Sequence, residues 1–167
     1  IFDNVSGMVN STIVFPIGKT LETGGYYTKG DAGKAKYLIV TAQTADGYGD
    51  HTLINGSVAV LQVSDKLIAA QWGVNNSGAD MTAPIQAMVD YGNVTGVRTI
   101  TFGYGSFKTT GIFITEGGFE FIGRAGERPN TAQGAGTRLS YIGNAGALFL
   151  NGADDGLPWS DNLYDGP

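Results

Sequence analysis

The chain has 167 residues, 42% of them hydrophobic and only 15% charged, with 27 glycines and no cysteine. A formal net charge of −5 argues against a nucleic-acid partner, whose phosphates need a basic surface, and the lack of cysteine excludes disulfides and thiolate metal sites. No apolar run approaches the roughly 20 residues that cross a bilayer, so no membrane insertion is expected.

Glycine at this level, without a collagen period, points to a turn-rich β protein with room for one large domain or two small ones. The chain opens on Ile1 and closes on Asp165-Gly166-Pro167, and reads as a piece of a longer protein.

Residues 3–10 predict a weak helical turn capped by Asp3 or Ser6. Thr12-Ile13-Val14-Phe15 is β-branched and aromatic and predicts a strand that Pro16 ends. Gly18-Lys19-Thr20 invites a phosphate-loop reading, but Ile13 stands where that motif needs glycine and no helical pattern follows. Residues 19–23 instead alternate like a half-buried strand. After Gly24-Gly25 and Tyr26-Tyr27-Thr28 comes the turn Lys29-Gly30-Asp31-Ala32-Gly33. Lys36-Tyr37-Leu38-Ile39-Val40 predicts a strand buried on both faces. A polar loop with Asp46, Gly47, Gly49 and Asp50 precedes Thr52-Leu53-Ile54, and Asn55-Gly56 predicts a tight hairpin into residues 58–63.

The middle of the chain, residues 71–92, organises the rest. Gln71-Trp72 runs into a Gly/Asn/Ser loop that delivers the backbone to a helix start at Asp80 or Thr82, either of which can accept from exposed first-turn amides, and Pro84 is tolerated there. Met81, Ile85, Met88 and Val89 form one apolar stripe at helical spacing, and Gly92 offers a left-handed stop to a short helix. Trp72 is expected to pack on that stripe. Beyond it, short Gly-bounded segments at 98–102, 106–110, 112–115, 119–122, 138–142 and 147–150 predict strands. Sandwich, barrel and solenoid all fit such spacing; an amphipathic helix in front favours a solenoid, whose open end must be covered. Residues 124–136 read as an inserted loop and 152–167 as an irregular tail.

Little in the chain carries chemistry. His51 is the only histidine and reads as a turn or edge-strand residue, without the partners of a triad or a two-histidine metal site. Glycan hydrolysis commonly needs two acids facing across one bond, but neither Asp154-Asp155 nor Glu116 with Glu120 is forced into a cleft. No catalytic, cofactor-binding or metal-ligating residue and no cofactor are therefore expected. Tyr104, Tyr141 and Trp159 are weak candidates for glycan contact, because aromatic rings present flat apolar faces to sugars. Tyr26, Tyr27 and Tyr48, beside Gly-rich turns, suit an intersubunit contact.

Two stretches carry a resemblance. Gln71-Trp72-Gly73, Gly78, Asp80, Thr82 and Ala83-Pro84-Ile85-Gln86-Ala87 resemble the Q-F-G-A-x-G-D-G-x-T-D-D-T-x-A-I-Q-A motif of pectate-lyase-like proteins, with Ser77 and Met81 in place of two of its acids. In that superfamily the motif precedes a right-handed parallel β-helix, and it is frequent in bacteriophage tailspikes. Thr20-Leu21, Gly25-Tyr26-Tyr27, Gly30-Asp31-Ala32-Gly33, Tyr37-Leu38-Ile39-Val40 and Asn55-Gly56 resemble the small domain before the β-helix of many tailspikes, where the pattern runs roughly V-x-T-x-G-Y-Y-x-x-G-D-G-G-G-x-x-Y-x-I.

The resemblance implies a mainly β chain: a virion-proximal β module at 1–68, a linker and capping α-helix at 69–92, and the first coils of a right-handed parallel β-helix at 93–167. Trp72, Asp80, Thr82, Ile85 and Met88 would be its structural capping residues. It further implies a homotrimer in the phage tail, extracellular on meeting the host. Tail or baseplate proteins would be partners, and the full-length chain would bind and usually degrade bacterial surface polysaccharide by hydrolysis or lyase chemistry, with the cleaving acids on later coils or between subunits. The alternatives are a fragment of a secreted polysaccharide lyase or glycoside hydrolase, and a carbohydrate-binding module.

Overall fold

A computed structural model describes residues 1–110, 113–115, 118–123, 137–141 and 149–151. It starts with a one-turn helix, α1 (Val5–Val9), whose cap is Asn4 rather than Asp3 or Ser6: the Asn4 side-chain oxygen accepts from the Gly7 amide at 2.8 Å. Val5 and Met8 turn inward. Ahead of the helix, Phe2 lies along the outer edge of β1 (Thr20–Thr23), donating to the Glu22 carbonyl and accepting from the Gly24 amide. That contact explains why Thr12-Ile13-Val14-Phe15 forms no strand. Strand propensity needs a partner edge, Phe2 already lies along that of β1, and Ile13 and Val14 stay 62% and 71% exposed.

β1, β2 (Ala35–Val40), β3 (His51–Thr52) and β4 (Val58–Leu61) form an antiparallel sheet in the order β1-β2-β4-β3. In β2, Ala35, Tyr37 and Ile39 are buried, while Lys36 is exposed and Leu38 and Val40 are half-buried. The strand is thus closed on one face only, as antiparallel sheets commonly are. The β3–β4 hairpin closes through Leu53, which accepts from Gly56 and donates to Ser57, with Gly56 at φ +83°.

Between β1 and β2 the chain knots around Asp31. Its carboxylate accepts from the amides of Tyr26, Tyr27, Thr28 and Gly33 at 2.7–3.0 Å. Partial burial opposes its charge, but those amide bonds outweigh the burial and hold its pKa below the usual carboxylate value. Ala32 takes a left-handed φ of 68° here, where the tailspike pattern has glycine.

β5 (Leu67–Ile68) leads into a 3-10 turn (Ala69–Trp72) that ends on Gly73 at φ +78°. The second helix, α2 (Thr82–Thr95), buries Ile85, Met88 and Val89, with Met81 just ahead of it also buried. It is longer than its sequence suggests, running through Gly92 to a left-handed cap at Gly96. Gly92 is small for another reason: a Cβ there would lie 2.6 Å from the Val97 carbonyl and 2.7 Å from the Phe119 ring.

Beyond α2 come β6 (Thr99–Thr101), β7 (Gly105–Thr109), β8 (Phe113–Thr115), β9 (Glu120–Ile122), β10 (Thr137–Tyr141) and β11 (Phe149–Asn151). Their pairing is parallel throughout: β5 with β6, β6 with β9, β7 with β10 and β8 with β11. From β6 on, each strand pairs with the one three places later. A single hydrophobic cluster spans both halves, from Val5 and Met8 through Tyr37, Trp72 and Met88 to Ile100 and Phe107.

Candidate functional site

The described residues concentrate their interactions at two places, the junction between the antiparallel sheet and the 3-10 turn, and the start of α2. At the junction, small residues let two backbones meet. A Cβ on Gly33 would lie 2.7 Å from the Ala70 carbonyl, and one on Gly73 would lie 2.6 Å from the Tyr26 ring. The Tyr27 hydroxyl donates to the Gly73 carbonyl at 2.7 Å, and the Gln71 side chain donates to the Lys34 carbonyl at 2.7 Å. Tyr26 and Tyr27, whose surroundings in the sequence suit an intersubunit contact, are thus engaged within the chain. Trp72 is 1% exposed; its indole Nε1 faces Gly49, where a Cβ would approach to 2.6 Å.

At the helix start, the N-cap position belongs to Met81, which makes no side-chain cap bond. Asp80 acts from one residue upstream, its Oδ1 accepting from the Thr82 amide at 2.9 Å and from the Thr82 hydroxyl at 2.6 Å. Its Oδ2 accepts from the Thr110 hydroxyl, the Thr82 hydroxyl accepts from the Thr110 amide at 2.9 Å, and Met81 donates to the Lys108 carbonyl at 2.8 Å. The pair reserved in the sequence for a helix cap therefore also clasps α2 to the end of β7. The Thr110 and Thr82 bonds hold the Asp80 carboxyl below its ordinary pKa.

The structure does not bring the aromatic glycan candidates into one described platform. Tyr104 is 52% exposed and borders a groove of about 550 Å³ lined by Lys66, Ile68, Thr101 and Ile122. Tyr141 ends β10, opposite Thr109, and Trp159, like Asp154, Asp155 and Glu116, lies outside the described residues. A second groove, of about 600 Å³, runs between α2 and the 46–48 loop, where Tyr48, Gln86, Asp90 and Tyr91 line it; no local sequence pattern marks it, because it forms between elements about 40 positions apart.

The acids are dispersed. Asp31 and Asp80 are tied up as described, Glu120 accepts from the Thr99 hydroxyl at 3.3 Å, and among the described residues no three His, Cys, Asp or Glu side chains gather as a metal would require. Nor, among those residues, is any helix long and apolar enough to cross a membrane.

In sequence the chain matches no family model and no curated protein. In structure it is similar to tailspike protein gp49 of Acinetobacter baumannii bacteriophage Fri1, a capsular polysaccharide depolymerase, with a TM-score of 0.61 and 19% identity over 81% of this chain and 27% of that one. It is also similar to Pantoea stewartii WceF, a glycan biofilm modifying enzyme with a tailspike-like parallel β-helix fold, at a TM-score of 0.55 and 16% identity over 69% of this chain and 19% of that one. A third likeness is to the tailspike of Acinetobacter baumannii phage AM24, at a TM-score of 0.53 and 17% identity over 67% and 19% of the two chains. The chain spans about a quarter of the first of these proteins and about a fifth of the other two. At such identities the likeness is one of fold, and in fold this mainly β chain is a tailspike-like segment.

Proposed function

We propose that the chain is the structural, virion-proximal part of a phage tailspike, with residues 1–68 as a β module, 69–92 as linker and capping helix, and 93–167 as the first coils of a right-handed parallel β-helix. The observation that carries this reading is the pairing offset, in which β6, β7 and β8 each run parallel to the strand three places later. Parallel neighbours in one sheet are joined by right-handed crossovers in nearly all known cases, so three strands per turn suit a right-handed coil. The clasp from Asp80 and Thr82 to Thr110 supports α2 as the cap of that coil. Trp72, Ile85 and Met88 fill the space beneath it.

On this reading the chain works as part of a homotrimer joined to tail or baseplate proteins, on the virion and then at the host surface, and the rest of a longer polypeptide binds and degrades surface polysaccharide. Tyr104, Tyr141 and Trp159 remain the residues proposed for any sugar contact here. The test has two arms. Immunogold labelling with antibody against residues 1–95 should mark the tail of the encoding phage, and the isolated chain should release neither reducing ends nor unsaturated products from a panel of capsular polysaccharides. Unlabelled virions or robust cleavage would overturn the reading. The likeness to WceF favours one alternative, a glycan-modifying enzyme without a virion, and the labelling arm separates the two.

A further inference from the structure

His51 opens the two-residue edge strand β3, opposite Ala59 of β4, and is only 7% exposed. The rings of Tyr26 and Tyr37 flank its imidazole at centroid distances of 5.9 and 5.8 Å. Its Nε2 is buried with no hydrogen-bond partner among the described residues. The charged groups around it come from its own loop. Asp46 accepts from the Tyr48 and Asp50 amides at 2.7 and 2.9 Å, and Asp50 accepts from the Leu61 amide of β4 at 3.1 Å.

Two neighbours of His51 also carry the junction. Tyr26 lies against Gly73, and Gly49, two residues upstream, lies against the Trp72 indole. Whatever displaces the 46–51 loop or Tyr26 must therefore loosen Trp72-Gly73, the hinge between the antiparallel sheet and α2. We propose that His51 is an acid-sensitive latch: while its imidazole is neutral the antiparallel sheet stays docked on Trp72-Gly73, and protonation releases that docking while the sheet and α2 remain folded.

The physical reason is that an imidazolium needs water or an acceptor at both nitrogens, and Nε2 has neither in the docked state. Burial pushes the His51 pKa below its ordinary 6.5, with Asp46 and the Tyr48 carbonyl opposing that only in part. Burial also raises the Asp50 carboxyl, which the Leu61 amide partly offsets, so Asp50 is a weaker counter-charge than a solvated aspartate as the solution is acidified. The released state titrates near 6.5 and the docked state below it. Docking is therefore at full strength above that value, and each pH unit below it costs the docked state roughly tenfold in relative population until the docked pKa is reached.

A Trp159→Phe variant leaves Trp72 as the sole tryptophan. Its emission should shift to the red below the ordinary histidine pKa with a one-proton slope while far-UV circular dichroism holds steady, and the added substitution His51→Gln should abolish that shift. A flat emission profile, a loss of dichroism in step with emission, or a shift that survives His51→Gln would each overturn the latch. Should His51→Gln fail to fold, NMR titration of this single histidine in the unaltered chain decides, since an imidazole that titrates at or above 6.5 contradicts a buried neutral latch.

Discussion

Trp72 and Tyr91 meet edge to face, with ring centroids 5.7 Å apart and planes at 67°. The pair joins the 3-10 turn to the third turn of α2, and Gly49 closes the other side of the indole. Replacing Trp72 with Ala removes both contacts from a fully enclosed site, and large-to-small changes of this type cost about 3–5 kcal/mol. Urea denaturation of Trp72→Ala should show a loss of that order, with Tyr91→Ala costing less because Tyr91 is only half-buried.

The two glycines near the end of α2 should answer differently to alanine. At Gly96 a Cβ would meet nothing within 4 Å, so only the left-handed backbone opposes Gly96→Ala, at about 1–2 kcal/mol. Gly92→Ala drives a Cβ into a carbonyl and a ring, and should cost as much or more through displacement of the 97–99 segment and Phe119. Melting temperatures of the two variants test this, and a neutral Gly92→Ala would contradict the close approach.

The clasp at the start of α2 predicts coupling rather than a simple cap. Asp80→Ala and Thr110→Val each break the same carboxylate–hydroxyl bond, so their combined cost should fall short of the sum of the single costs. Each single change should be worth about 1 kcal/mol, the range of a lost cap or a partly exposed charged hydrogen bond. Ser77→Ala, in the loop ahead, should be nearly neutral. Additive costs in a double-mutant cycle would separate Asp80 from Thr110.

Asp31 predicts a pH dependence. Its pKa is lower in the folded chain than the ordinary 3.8, so the stability it adds is complete above 3.8 and is lost as the pH falls through the lower folded value. Asp31→Asn should remove that acid-side loss and destabilise the chain at neutral pH, because a neutral amide oxygen replaces a carboxylate that gathers four backbone amides. Stability curves of the two proteins between about pH 2 and about pH 6 test it; curves that stay parallel would rule it out.

How much of this was legible in the sequence depended on whether the signal was local. The stripe Met81, Ile85, Met88 and Val89 follows the helical period, and those residues are buried. The turn at Asn55-Gly56 is likewise visible in two residues. By contrast, the sequence of Thr12-Ile13-Val14-Phe15 carries strand propensity but not the information that Phe2 already lies on the available edge. Gly92 and Gly96 look alike as letters, yet one is small for packing and the other for its backbone angle. Nothing near Asp31 announces that one carboxylate gathers four amides, nor does Asp80 announce Thr110, because those partners depend on how the loop folds back. The clasp and the junction were therefore only half readable, through Asp80, Thr82 and Trp72 but not through Thr110, Tyr27 or Gln71.

The continuous hydrophobic cluster from Met8 to Phe107 has a mechanical consequence. A pull between Phe2 on the edge of β1 and the parallel strands β6 and β9 does not run along the single peptide from Gln62 to Leu67. It is shared among side chains wedged across the whole width of the junction, together with the Tyr27–Gly73 and Gln71–Lys34 bonds. Load spread over contacts that must slide past one another together resists far more than a tether that can pay out one residue at a time, so the two halves transmit tension and torque as a stiff strut.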